Sequence, residues 1–503
     1  MAKKKNNHKQ KHLTDKEIII NEIKKVGKVF DSMIHQRISP KGIVRMEQEL
    51  KRTGEKLSQF EIIERYKALP IDSSKRVGLG YETKIKYKSK MSVLLKEVNA
   101  RFGITRFKNI QPEHVQAILG NSHQKYKEGY INESGKSNDY LSAIKAFQLG
   151  LNHTNQDVFG KQVKEQMNLG DVGEFRKERS NQGIYRSPNY SAGLKVNQEG
   201  VSEINDRIEK EYQETGDEFA KAAHIVSTLS QFGGTRLDAA INVRPENIVF
   251  VENGVAKFHY PLTKSTANRR SLKELKKMED KFNKLSDGVY FQLIDKGNKH
   301  NVSKVLKDGE EKIKKIVADF FNNPENKDKK GNIKDVGLID IRNEKGEKLS
   351  NKTIQNGVHN VIKRNSDDFT HIEKREFKTK DKNGKMVRKM SVAKKLEFSH
   401  HRNRGAYGME VAVQSYLKLT GTKEERNEIF NEQRIMDPEA MKKYSELNAE
   451  RKTKKLKDLP LKEAVLFASF SLSHYRDDVT NHYLTEEDLR SELIRRGVLK
   501  EGH

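Results

Sequence analysis

The sequence predicts a mainly α fold with a small β-sheet, an α+β architecture spread over several domains. Three observations predict it. Apolar residues recur at i, i+3, i+4 and i+7 along many segments, the stripe that an amphipathic helix buries. Paired strands are signalled in few places, most clearly around Asn253-Gly254, a dipeptide suited to a two-residue hairpin turn. Apolar and charged residues each make up 34% of the chain, and no apolar run approaches the ~20 residues a membrane-spanning helix needs. With 503 residues there is room for about two to four domains, each able to bury a core.

The elements follow in order. After a lysine-rich start, residues 18–30 and 43–66 have helical spacing, and residues 69–80, with Pro70, Ser73, Ser74, Gly78 and Gly80, predict a linker. Met91, Leu94, Leu95, Val98 and Phe102 then mark one face of a helix. A short helix over 112–119 and another over 138–151 complete a small helical module. Residues 152–197 are rich in Gly, Asn, Gln and Ser and predict a connection. Helices over 201–215 and 219–232 lead into the hairpin at 247–260. The charged stretch 322–395 contains two turn signals, Lys330-Gly331-Asn332 and Lys382-Asn383-Gly384, and predicts an insertion with strands of its own. Ala406, Met409, Val413, Tyr416 and Leu417 form the next helical stripe. Residues 461–472 predict a buried helix, and Thr485-Glu486-Glu487-Asp488 resembles a capping box opening a last helix that stops at Gly497.

Composition narrows the function. With no cysteine, the chain has no disulfide, no thiolate metal site and no cysteine nucleophile. This fits a reducing compartment, and the lysine-rich start lacks the apolar segment of a secretory signal; a cytoplasmic location is the expectation. The formal charge of +27 favours polyanionic partners, chiefly nucleic acid or an anionic surface. It is densest at the front: residues 1–80 carry 19 basic and 10 acidic side chains, and residues 81–200 carry 19 and 12. The alternative is a solvated tail that aids solubility.

Four motifs carry candidate chemistry. Arg236 follows Gly233-Gly234-Thr235, where glycines permit a tight turn and a guanidinium can fork onto two phosphate oxygens. Lys264 follows the hairpin; it is either a solvated lysine or a proton donor to a leaving oxygen. His401 and Arg404 are three apart, on one face of a helix whose start would aim them at an anion. The pair His400-His401 could instead suggest a metal, but no third ligand lies at suitable spacing. His474 and Tyr483, nine apart, precede the last helix, where Tyr483 is either a packed tyrosine or a nucleophile.

Taken in order, Arg236, Lys264, His401-x-x-Arg404, Leu472-Ser473-His474 and Tyr483 resemble the tyrosine recombinase (phage integrase) family. The resemblance covers roughly residues 82–497. It implies a helical core-binding domain at 82–160, a linker at 161–200, and a catalytic domain at 201–503 with insertions near 322–395 and 422–459. Residues 1–80 would be a basic helical extension suited to arm-type DNA binding. The implied activity is site-specific cutting and rejoining of double-stranded DNA through a 3′-phosphotyrosine, as the integrase of a mobile element. Tyr483 would be the nucleophile, with Arg236, Arg404, His401, His474 and Lys264 around the phosphate. The implied partners are DNA, further copies of the chain in a tetramer, and accessory DNA-bending proteins; neither a cofactor nor a metal is implied.

Two departures stand out. The family's acidic residue three places after the first arginine is Ala239 here, with Asp238 one place early. The spacings before His401 and between Arg404 and His474 are long for the family. Alternative readings are a telomere resolvase or an atypical conjugative relaxase on the same fold, or a catalytically silent DNA-binding protein.

Overall fold

A computed structural model describes residues 13–73, 75–154, 158–160, 167–184, 198–258, 279–295, 299–369, 371–453, 459–472 and 484–500. It is mostly helical with small antiparallel sheets. The chain divides into two compact units, residues 1–188 with 374–394, and residues 189–373 with 395–503. No helix among the described residues is long and apolar enough to cross a membrane.

In the first unit, α1 (Asp15–His35) begins at a capping box in which the Thr14 hydroxyl accepts from the Glu17 N–H and the Glu17 carboxylate accepts from the Thr14 N–H. The stripe over 43–66 is broken into α2 (Pro40–Arg52) and α3 (Gln59–Ala68), because Gly54 takes a left-handed conformation and Ser58 starts a new cap with Glu61. Next come α4 (Tyr81–Phe102), α5 (Pro112–Lys127), α6 (Asn132–His153) and α7 (Val172–Asn181). Residues 1–80 and 82–160, expected as separate regions, share one core. Val26, Val29, Phe30 and Met33 of α1 pack with Leu94, Leu95 and Val98 of α4 and Ile144 and Phe147 of α6. Gly150 of α6 permits this approach, since a Cβ there would lie 2.6 Å from Val29. Part of the expected linker is also structural. Val172 and Phe175 of α7 enter the same core, and Arg179 donates to Ser134 (2.6 Å) and to Asn138.

The second unit is built around α8 (Gln198–Thr215) and α9 (Glu218–Gly233), followed by the short α10 (Leu237–Ile241). A four-stranded antiparallel sheet of order β2-β1-β3-β4 contains β1 (Ile248–Glu252), β2 (Val255–Phe258), β3 (Gly288–Asp295) and β4 (Lys299–Lys304). The expected hairpin is β1–β2. Asn253 and Gly254 both have positive φ, 53° and 71°, and both of their N–H groups donate to the Asp287 carboxylate at 3.0 Å. Beyond the sheet, α11 (Glu310–Asn322) and α12 (Asn351–Arg364) bury Ile313, Val317, Ile354, Val358 and Val361 in the main core. Within the stretch 322–395, α12 packs against α9 in the main core. Within that stretch, β5 (His371–Glu373) pairs with β8 (Lys394–Leu396). Between them, β6 (Glu376–Lys380) and β7 (Met386–Met390) form a hairpin that belongs to the first unit.

The remaining helices are α13 (His401–Thr420), α14 (Lys423–Met436), α15 (Pro438–Thr453), α16 (Leu459–Ser471) and α17 (Glu486–Arg495). The expected 422–459 insertion forms α14 and α15, and Tyr444 of α15 shares a core with Val413 of α13 and Phe467 of α16. The Glu432 carboxylate of α14 accepts from Ser286 (2.6 Å), Lys304 (2.9 Å) and Tyr290 (3.0 Å), tying the helix to the sheet. Burial works against its ionisation, but Lys304 and the donors outweigh that and hold its pKa below the usual carboxylate value. Thr485 and Asp488 form the expected capping box of α17, and Gly497 (φ 72°) follows its end.

Gly234 closes α9 at φ 67°, and a Cβ there would lie 2.4 Å from the Tyr407 ring; at Gly233 it would meet Phe291 at 1.9 Å. Gly254 shares the left-handed backbone (φ 71°) but faces open space. Gly254→Ala is therefore expected to cost only the backbone preference, about 1 kcal/mol. Gly234→Ala adds a packing clash and should cost roughly 2–5 kcal/mol. Thermal denaturation of the two variants checks this; equal shifts in Tm would contradict the packing argument.

Candidate active site

The turn Gly233-Gly234-Thr235 ends α9 and delivers Arg236 as the extended residue that opens α10. Across from it, α13 begins at His401, so His401 and Arg404 lie one turn apart as the sequence predicts. A buried polar cluster holds the two ends together. The Ser230 hydroxyl of α9 shares a hydrogen bond with Thr235 Oγ1 at 3.0 Å and another with His400 Nε2. His400, Thr235 and Ser230 are all buried.

Burial sets the charge state of His400. Desolvation, then the nearby positive charges of His401 and Arg404, hold its pKa down to about 3, although the Val226 carbonyl works in the other direction. The ring is neutral and serves as a hydrogen-bonding strut. The residue types do not mark His400 for this role; the available signal was only its place just before the helix.

Arg404 is 1% exposed, and its guanidinium donates to the carbonyl of Leu472, just past the end of α16. A cation there meets the negative end of that helix. His401 keeps an exposed surface. Water is displaced from its inner side, and this partial desolvation comes first in lowering its pKa. The positive charges of Arg404, Arg236 and Arg402 follow, with His359 of α12 adding to them. Arg236, Arg402 and Arg404 thus all act on one imidazole, which favours its neutral form and creates a positive focus for an anion. Arg402, which does not satisfy the His-x-x-Arg spacing, is 7% exposed and contributes to that focus. Asp238, one place before Ala239, accepts from Gln355 of α12 at 3.2 Å.

Three expected site residues, Lys264, His474 and Tyr483, lie outside the described residues. The described chain on either side of 473–483 is anchored: Leu472 and Leu484 are both buried.

A second region concerns polyanion binding. In the first unit, a groove of about 420 Å³ is lined by Lys41 and Arg45 of α2, Tyr87 of α4, Lys145 of α6 and Arg176 of α7. No carboxylate lines it. Four cations from three helices, beside an aromatic ring, suit a phosphate backbone.

No protein-family model and no curated protein matches the chain. Among solved structures, the XerH site-specific recombinase bound to palindromic difH substrate in a post-cleavage complex is similar at a TM-score of 0.43 and 12% identity, over 97% of each chain. Its pre-cleavage complex with difH gives 0.41 and 12% over 96% of each chain.

The buried His400 implies a pH dependence of stability. The unfolded chain takes up a proton near the ordinary value of 6.5, whereas the folded ring resists it down to about 3. Stability is therefore lost as pH falls through that window, by up to roughly 1 kcal/mol per pH unit from this residue. The Tm of the native chain is expected to fall more steeply between pH 6.5 and 4.5 than that of His400→Gln. Parallel curves would show that His400 is not held neutral.

Proposed function

We propose that the chain is a site-specific DNA recombinase that cuts and rejoins double-stranded DNA through a 3′-phosphotyrosine. The observation that carries this reading is the gathering of Arg236, His401 and Arg404 at the junction of α9 and α13, where three guanidiniums bear on one imidazole and favour its neutral form. A phosphodiester placed there has its developing negative charge met by fixed donors, the electrostatic contribution that dominates phosphoryl-type reactions.

In the proposed step, the Tyr483 oxygen attacks phosphorus. The bond from phosphorus to the 5′-oxygen breaks, and the 3′-phosphate remains on the tyrosine. The phenol proton passes to His401, whose lowered pKa keeps it able to accept. Lys264 gives a proton to the departing 5′-oxygen, and His474 donates to a non-bridging oxygen. The reverse attack by a 5′-hydroxyl of another strand rejoins the DNA, so the bond energy is conserved within the phosphotyrosine. The basic groove of the first unit would hold the duplex by its backbone.

Trapping tests the proposal. The full chain is incubated with a randomised nicked-duplex library in EDTA, denatured, and the covalent product mapped. An adduct on Tyr483 is expected, absent in Tyr483→Phe and reduced on the order of 10²-fold or more in Arg404→Ala. An adduct that survives Tyr483→Phe would refute the nucleophile.

The rate of adduct formation below DNA saturation should hold steady down to the ordinary imidazole value of 6.5 and decline only under it, because His401 must be unprotonated to accept. A decline that begins well above 6.5 would remove His401 as the acceptor.

A further inference from the structure

The β6–β7 hairpin is not used by the proposed chemistry, and its construction is unusual. Residues 374–394 carry nine basic and two acidic side chains, a net charge of +7. The segment is distant in sequence from the helices it packs on. Phe377 turns inward onto the Tyr126 ring of α5 with centroids 4.7 Å apart, and the Val392 N–H donates to the Gly129 carbonyl at 2.8 Å. Lys380 Nζ donates to the Asn181 carbonyl at the end of α7 at 2.9 Å. The tip is equally fixed: the Asp381 carboxylate accepts from the Asn383 and Lys385 N–H groups, both at 2.9 Å, and Gly384 takes φ 76°. That turn consumes one of the two acidic groups.

The register puts three cross-strand pairs on the opposite face: Glu376 with Met390, Lys378 with Arg388, and Lys380 with Met386. Lys378 and Arg388 are like charges directly opposed, an arrangement that destabilises an isolated sheet. Both are exposed, and among the described residues the ion pair on this face is Arg388 with Glu376 at 3.7 Å. Lys378, Lys382 and Lys385 have no ion-pair partner among the described residues. Met386 and Met390 flank the central cations at 42% and 55% exposure. A rigid ribbon thus holds unneutralised cations outward with apolar side chains between them.

We propose that the β6–β7 ribbon is a duplex-DNA contact, entering a groove with Lys378 and Arg388 toward phosphates and Met386 and Met390 toward base edges. A two-stranded ribbon fits the major groove, and phosphates beside Lys378 and Arg388 would offset their repulsion while counterions are released from the duplex. The inference takes its ligand, DNA, from the proposed function but does not depend on the tyrosine chemistry.

The test uses the full chain and its Lys378→Ala/Arg388→Ala variant in duplex-DNA titrations across salt concentration. The slope of log affinity against log salt is expected to become shallower by about two in the variant, since each phosphate contact contributes about 0.9. Its Tm should be nearly unchanged, because the variant removes the like-charge pair together with the exposed Arg388–Glu376 pair, each a small and opposite contribution. As a second readout, the cysteine-free chain allows Asn383→Cys to carry an iron-chelate cleavage probe. Cleavage confined to one stretch of the bound duplex is expected. An unchanged salt slope with no localised cleavage, in a chain that still binds DNA and still forms the Tyr483 adduct, overturns the ribbon alone. Failure of the native chain to bind duplex DNA overturns both proposals. A shallower slope without any tyrosine adduct leaves the ribbon standing and removes the recombinase reading.

Discussion

The interaction on which the candidate site depends is the buried contact between Ser230, Thr235 and His400. It ties the end of α9 to the start of α13, two elements about 170 residues apart in sequence. Leaving one such buried polar group unsatisfied costs roughly 1–3 kcal/mol, so the cluster strongly favours one relative placement of the two helices. Its location is decisive. Arg236 comes one residue after Thr235, and His401 comes one residue after His400, so fixing the buried pair fixes the half-buried Arg236 and the exposed His401 beside it. The small backbone profile of Gly233 and Gly234 lets Phe291 and Tyr407 close around the same turn.

That rigidity has an electrostatic consequence. Arg402 and Arg404 are largely withdrawn from water, and Arg404 is held against the carbonyl of Leu472. Dipoles of this kind satisfy a guanidinium without cancelling its charge. The charge instead bears on His401, which responds with a lowered pKa. A site with several fixed cations and a neutral imidazole is prepared for an anion that needs both charge neutralisation and a proton acceptor. The same connection places the guanidinium beside Leu472, the last described residue before 473–483.

The first unit completes one core from distant segments of the sequence. α1 supplies Val29, Phe30 and Met33, α7 supplies Phe175, and the β6–β7 hairpin adds Phe377 against Tyr126. Each addition also brings cations to the surface. The groove with Lys41, Arg45, Lys145 and Arg176 draws on segments that the sequence alone would assign to an extension, a helical module and a linker.

Much of this was legible in the sequence. Helical periodicity located α1, α4, α8, α9 and α13; Asn253-Gly254 marked the hairpin; Thr485 marked the start of α17. The positions of Arg236 at a turn and of His401 and Arg404 one helical turn apart were legible from spacing, because local turns and the helical repeat alone place them. Periodicity says which face of a helix is buried, but not against what. Only the tertiary structure decided that α1 shares a core with α4 and α6, that α12 belongs to the main core, and that a hairpin between β5 and β8 packs on the first unit. It also decided that His400 is a neutral buried strut while its neighbour His401 faces solvent among arginines. The physical reason is the same in each case: burial, desolvation and long-range charge depend on which distant segments meet, and that is a property of the packed chain rather than of any stretch of it.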